Sequence, residues 1–211
     1  GLLGWSLRSA GGGPDPATGK AWTVPDADAL PDSPLGRSVR QGRDLVIHTA
    51  RLIGPQAADP ALRFAGNNLN CQSCHIAGGT KQFGLPLVGV YADFPNYRPR
   101  EGRIGTIEER VNGCMARSMN GRALPPDGPE MAAIVAYLRF LSSGTAPGAK
   151  TFGRGAGKMD ELTRAADPVR GGRVFTQSCA GCHGLDGQGL RAQAGDQAPG
   201  YVYPPLWGAD S

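Results

Sequence analysis

Cys71-Gln72-Ser73-Cys74-His75 and Cys179-Ala180-Gly181-Cys182-His183 are two copies of one pattern, and between them they use four of the five cysteines in the chain. In Cys-x-x-Cys-His the two thiols add to the vinyl groups of a haem, and the adjacent imidazole takes one axial position on its iron. A disulfide framework would have no use for the histidines. A single zinc site gathering the four thiols is the competing reading, but the pairs lie far apart in sequence and each is followed directly by a His. The pattern predicts two covalently bound haem c groups, one held by Cys71, Cys74 and His75 and the other by Cys179, Cys182 and His183.

The composition agrees with that prediction. A chain of 211 residues is long enough for two small domains. Hydrophobic residues make up 40% and aromatics 7%, with 33 Gly and 18 Pro, which suits short helices joined by long loops. So few large side chains build no dense core alone, and a haem supplies the missing apolar bulk. The net charge of +4 is modest and the basic residues form no nucleic-acid-binding run. No apolar stretch approaches the roughly 20 residues that span a bilayer. The start, Gly1-Leu2-Leu3-Gly4-Trp5, has neither an initiator Met nor a signal pattern and reads as a mature or excised N-terminus.

Working outward from the first motif, residues 1–33 are rich in Gly, Pro, Asp and Ala and read as an arm or linker. Ser33-Pro34 can cap a helix, and Leu35, Val39, Val46, Thr49 and Ile53 recur near helical spacing up to Gly54-Pro55. After His75 a Gly-rich stretch leads to Phe94-Pro95-Asn96-Tyr97-Arg98-Pro99, a chain better suited to wrapping a ligand than to regular structure. Thr106-Ile107-Glu108-Glu109 has capping-box spacing and opens a helix toward Met119, with Arg110, Cys114 and Arg117 near one face. Pro129 starts a further helix with an apolar stripe of Met131, Ile134, Val135, Leu138 and Leu141. Asp167-Pro168 opens another that leads straight into Cys179.

The expected fold is therefore mainly α, with two cytochrome c-type domains, each wrapped around one covalently bound haem, joined by a long Gly-rich linker. The divisions are an arm at 1–33, the first haem domain at 34–145, the linker at 146–166 and the second haem domain at 167–211. That last domain is expected to be incomplete at its C-terminal end, because no closing amphipathic helix follows His183.

The sixth iron position decides what each haem can do, since Met favours electron transfer while a thiolate lowers the potential. On residue chemistry alone Cys114, Met115 and Met119 all remain candidates for the first haem, Cys114 being equally able to pack as a small buried hydrophobe. Around them stand Arg98, Arg100, Arg103, Arg110, Arg117 and Arg122, against Glu101, Glu108 and Glu109. Such arginines can pair with acids or haem propionates, and they also suit an anionic substrate. After His183 there is no Met, Lys, His or Cys. The second haem is thus expected to be open on its distal face or ligated from outside 184–211, the linker residues Lys150, Lys158 and Met159 being the remaining candidates. His48 reads as a packed side chain.

The strings FAGNNLNCQSCH, GGTKQFGLPLVGVYADFPNYRPREG and ERVNGCMARSMNGRALP resemble the thiosulfate dehydrogenase family, periplasmic dihaem cytochromes c. The likeness runs from Trp22-Thr23-Val24-Pro25 to Tyr201-Val202-Tyr203-Pro204-Pro205-Leu206-Trp207-Gly208. The resemblance implies oxidation of two thiosulfates to tetrathionate, reversible in some members, with electrons leaving through the second haem to a cytochrome c-type or similar acceptor, fused or paired. It makes His75 and Cys114 the ligands of the first, catalytic haem and His183 the proximal ligand of the second, electron-transfer haem. Arg100, Arg110 and Ser118 carry over as the site's lining, and Lys81 joins them from a loop expected near the haem. Two other readings stay open: a non-enzymatic dihaem electron carrier with Met115 or Met119 on the first iron, and a haem-cysteine thiosulfotransferase, against which the YRPREG and NGCMARSMNG strings weigh.

Overall fold

The computed structural model describes residues 22–99, 101–149, 151–154, 163–191, 201–208 and 210. Among these the elements run α1 Pro34–Ile47, α2 Thr49–Leu52, α3 Ile76–Gly79, β1 Asn96–Arg98, β2 Arg103–Gly105, α4 Ile107–Ala116, α5 Pro129–Leu141, α6 Pro168–Ser178, α7 Ala180–His183, β3 Leu190–Arg191 and β4 Tyr201–Tyr203. The strands form two antiparallel pairs, β1 with β2, where Arg98 faces Arg103, and β3 with β4, where Leu190 faces Tyr203. No helix among the described residues is long and apolar enough to cross a membrane.

Ser33 caps α1 by accepting from the Gly36 amide at 3.0 Å, with Pro34 at the first helical position, as the sequence indicates. The expected single helix to Ile53 is broken at His48, which has φ −121° and ψ 36°. The cause is long-range. Asn70 Oδ1 captures the Ala50 amide at 2.9 Å, and Thr49 Oγ1 accepts from the Cys71 amide at 2.9 Å. The helical ladder is exchanged for bonds that dock α2 onto the first motif. Of the expected stripe, Val39, Val46, Thr49 and Ile53 are buried, whereas Leu35 in the first turn is 67% exposed.

Helix α1 packs on α5 through Gly42, where a Cβ would lie 1.9 Å from the Ala133 carbonyl oxygen and 2.8 Å from Tyr137 Cβ. Only a glycine permits that approach. Behind them Leu45, Ile53, Met131, Ile134 and Leu138 join Phe64, Leu69 and Met115 in one core. The stretch before the first motif runs beside the chain leaving α4, with the Gly66 amide donating to Met119 O at 2.8 Å and the Arg122 amide to Phe64 O at 2.9 Å. Gly121 makes this contact possible, since a Cβ there would meet the Phe64 carbonyl at 2.1 Å. Two segments distant in sequence thereby become walls of one cavity.

In the second half Asp167 caps α6 by accepting from the Arg170 amide at 3.0 Å, again as expected. No residue of α6 is buried, and Val169 and Val174 face solvent. Beyond His183 the described residues hold β3 and β4 and no closing helix.

Candidate functional site

Cys71-Gln72-Ser73 forms a 3-10 turn after Asn70, whose amide donates to Ser73 Oγ at 3.2 Å. His75 follows, with Nδ1 2.6 Å from the Leu85 carbonyl oxygen. A carbonyl only accepts, so Nδ1 carries the hydrogen and Nε2 presents its lone pair for a metal. Leu85 has φ +51° and Phe83 φ +59°, rare values for residues with side chains. The backbone is held in a costly conformation that aims this carbonyl at the ring. Burial is the main cause holding His75 below the usual imidazole value, and Arg110 adds to it while the Leu85 bond opposes. The neutral ring is the form that ligates iron.

The facing wall comes from α4. Thr106 and Glu109 form the expected capping box, with Thr106 N to Glu109 Oε2 at 2.9 Å and Glu109 N to Thr106 Oγ1 at 3.3 Å. The helix so started puts Arg110 and Cys114 one turn apart, and Arg110 Nη1 donates to Cys114 Sγ at 2.8 Å. Between the walls lies a cavity of about 490 Å³, within the roughly 300–1,000 Å³ range of cofactor pockets. Cys71, Cys74, His75, Arg110, Cys114 and Ser118 all line it, with Leu69, Leu87, Val90, Ile107, Ile134 and Leu138 supplying apolar surface. Met115 and Met119 also reach it, although they are only 2% and 4% exposed. Burial pushes the free Cys71 thiol up to about 11 and raises Cys74 as well, so unattached thiols there stay protonated.

The cavity's charges are largely paired. Arg98 clasps Glu101 with two bonds of 3.0 and 2.6 Å, and Arg117 stands 3.8 Å from the same carboxylate. The Arg98 bond is the main cause holding Glu101 below the usual carboxylate range. Arg154 pairs with Asp93. Among the described cavity-lining arginines, Arg110 has no carboxylate partner.

Not every expected residue joins the cavity. Lys81 sits exposed on its loop and does not line it, and Arg100, Lys150, Lys158 and Met159 lie outside the described residues. His48 is half-buried, and its Nδ1 has no hydrogen-bond partner. The Asp93 to Arg154 pair was not foreseen, nor was the pairing of Arg98 with Glu101, whose one signal was their i, i+3 spacing in YRPREG. Among the described residues no group of three or more His, Cys, Asp or Glu gathers to hold a metal ion. Cys179, Cys182 and His183 form the junction of α6 with α7, and His183 Nδ1 lies 2.8 Å from the Pro204 carbonyl oxygen. Both motif histidines thus have the same kind of carbonyl partner behind them.

Residues 64–146 match the SoxA/TsdA cytochrome c domain, and residues 168–210 match cytochrome c. A thiosulfate dehydrogenase of Allochromatium vinosum is 40% identical over 195 residues, spanning 90% of this chain and 67% of that protein. The chain belongs to the thiosulfate dehydrogenase family. A member from Psychrobacter arcticus is 36% identical over 97% of this chain and 59% of its own length. The structure of thiosulfate dehydrogenase (TsdBA) from Marichromatium purpuratum superposes with a TM-score of 0.76 at 32% identity, covering 90% of this chain and 40% of that one. This chain therefore spans roughly three-fifths to two-thirds of the curated relatives' length.

With the family come two cytochrome c domains in a mainly helical fold, and hence two covalently bound haem c groups. The first cavity fits such a group on its own terms: paired thiols, a neutral imidazole with Nε2 free, a third sulfur on the facing wall and an apolar lining.

Proposed function

We propose that this chain joins two thiosulfates through sulfur to give tetrathionate. The single observation that carries the reading is the contact of Arg110 with Cys114 in the cavity that the first Cys-x-x-Cys-His motif lines. Cys71, Cys74, His75 and Cys114 would hold the first haem c and Cys179, Cys182 and His183 the second, groups that would supply an electron sink beside the reacting sulfur and a way out for the electrons.

The chain's own residues do the rest. Arg110 sets its positive charge 2.8 Å from the Cys114 sulfur, the atom that must meet an anionic substrate. The same guanidinium, free of any described carboxylate, offers planar paired donors to a sulfonate oxyanion. Arg100 and Ser118 extend that lining in our reading. Two dianions repel each other when brought into one cavity, so cationic donors are what bring them together.

The Cys114 thiolate and one thiosulfate form an S–S bond, giving a cysteinyl thiosulfonate and releasing two electrons. A second thiosulfate then attacks that bond, tetrathionate leaves and the Cys114 thiolate is restored. The two electrons balance the S–S bond formed, and a cytochrome-type partner is their final acceptor. Cys114 is the sulfur that a guanidinium touches, which favours this reading over an electron carrier with Met115 or Met119 on the first iron.

We further place the protein in the periplasm, where haem is attached covalently, and divide it at 34–145 and 167–211. Incubation with thiosulfate and ferricyanide tests the activity. One tetrathionate per two thiosulfates consumed and two ferricyanides reduced supports it, and ferricyanide reduction without tetrathionate refutes it.

A further inference from the structure

The two motif histidines differ in where their carbonyl partners come from. Leu85 is ten residues from His75 and belongs to the same loop. Pro204 is 21 residues from His183, on a segment that is anchored to the other half of the molecule.

The anchor is Tyr201. Its amide donates to Asn68 O at 3.2 Å, and its carbonyl accepts from Ser73 Oγ at 2.8 Å. Ser73 lies inside the first haem motif, between Cys71 and Cys74. Tyr201 is 7% exposed and joins the core that contains Leu69, with the Arg191 guanidinium 4.4 Å from the centre of its ring. Asp210 ties the segment again, accepting from Arg191 at 3.0 Å and from the Asn68 amide at 3.4 Å. Three residues beyond Tyr201, the Pro204 carbonyl meets the His183 ring, and the Leu206 amide then bonds Gly187 O at 2.8 Å.

We propose that Tyr201–Pro204 is a positioning strap, tying His183 to the first haem-attachment loop at Ser73, so that one short segment sets both the His183 ring and the spacing of the two haem sites. The physical lever is the hydrogen bond behind the ring. Donation from Nδ1–H to a carbonyl makes Nε2 more basic and more electron-releasing, which lowers the potential of iron bound there. A carbonyl fixed by Tyr201 holds that bond short. When the anchor loosens, the bond lengthens and the potential rises. This inference needs only the two haem sites and does not depend on the substrate.

The test uses the full dihaem chain carrying Ser73→Ala, which removes the hydroxyl to Tyr201, and separately Tyr201→Ala, which removes the buried ring. The readouts are the midpoint potential and ferric EPR signal of the second haem, assigned by their absence from a Cys179→Ala, Cys182→Ala chain. The strap predicts a raised second-haem potential and a broadened second-haem signal in both variants, while Tyr201→Phe, which keeps the ring and the backbone bonds and loses only the 3.3 Å hydroxyl bond to Asp210, shifts less than either. Should Tyr201→Ala fail to fold, Ser73→Ala carries the test alone. An unchanged second haem in Ser73→Ala, or a change confined to the first haem, overturns the proposal.

Discussion

Arg110 Nη1 lies 2.8 Å from Cys114 Sγ, one helical turn apart on the wall that faces the first motif. Its neighbours in the cavity, Arg98 and Arg154, are each committed to a carboxylate. Arg110 is thus the described guanidinium that can serve both the sulfur and an incoming anion.

Arg110→Ala should lower kcat/KM for thiosulfate by roughly ten- to a hundredfold, the loss of about 1.5–3 kcal/mol for a charge-assisted contact. Arg110→Lys should recover only part of it, because an ammonium keeps the charge and loses the planar fork. Steady-state rates at low thiosulfate decide. Wild-type kcat/KM in Arg110→Ala removes the residue from the site.

Gly42→Ala should destabilise the first half by about 1–3 kcal/mol. A Cβ 1.9 Å from the Ala133 carbonyl meets backbone, which cannot swing aside as a side chain would. Denaturant unfolding followed through the haem absorbance measures the loss, and an unshifted midpoint would show that α1 and α5 separate freely.

His48 should give stability a pH dependence of its own. Burial is the main cause holding it below its usual 6.5, Arg51 adds to this and Asp44 opposes it. Between the lowered folded value and 6.5 the unfolded chain binds the extra proton, so stability is full above 6.5 and falls as pH drops toward the folded value. His48→Gln should flatten the change in denaturation midpoint between pH 7.5 and 5.5. An identical pH dependence in wild type and variant excludes His48 as a source.

Local signals in the sequence survive in the structure, because caps and stripes are decided within a few residues. Ser33, Thr106 and Asp167 cap the helices expected of them, and Met131, Ile134, Leu138 and Leu141 are buried as their spacing indicates. The break at His48 was not legible, since it depends on Asn70 taking an amide twenty residues away. Nor was the pairing that singles out Arg110, because a run of arginines looks alike until each finds its acid. Leu85 at φ +51° has no signature as a leucine. The bond between Ser73 and Tyr201 joins residues 128 apart, and no periodicity reports such a contact.

The capping box at Thr106 should matter because it starts the helix that carries Cys114. Thr106→Ala is expected to cost about 0.5–2 kcal/mol of stability. Thermal unfolding checks the size, and no change in Tm would mean that tertiary packing alone holds α4.

Cys114→Met tests the central claim most directly. Met can ligate iron but forms no cysteinyl thiosulfonate, so the account predicts a folded dihaem protein with a raised first-haem potential and little or no tetrathionate. Wild-type tetrathionate formation by a Cys114→Met protein that retains both haems would contradict it.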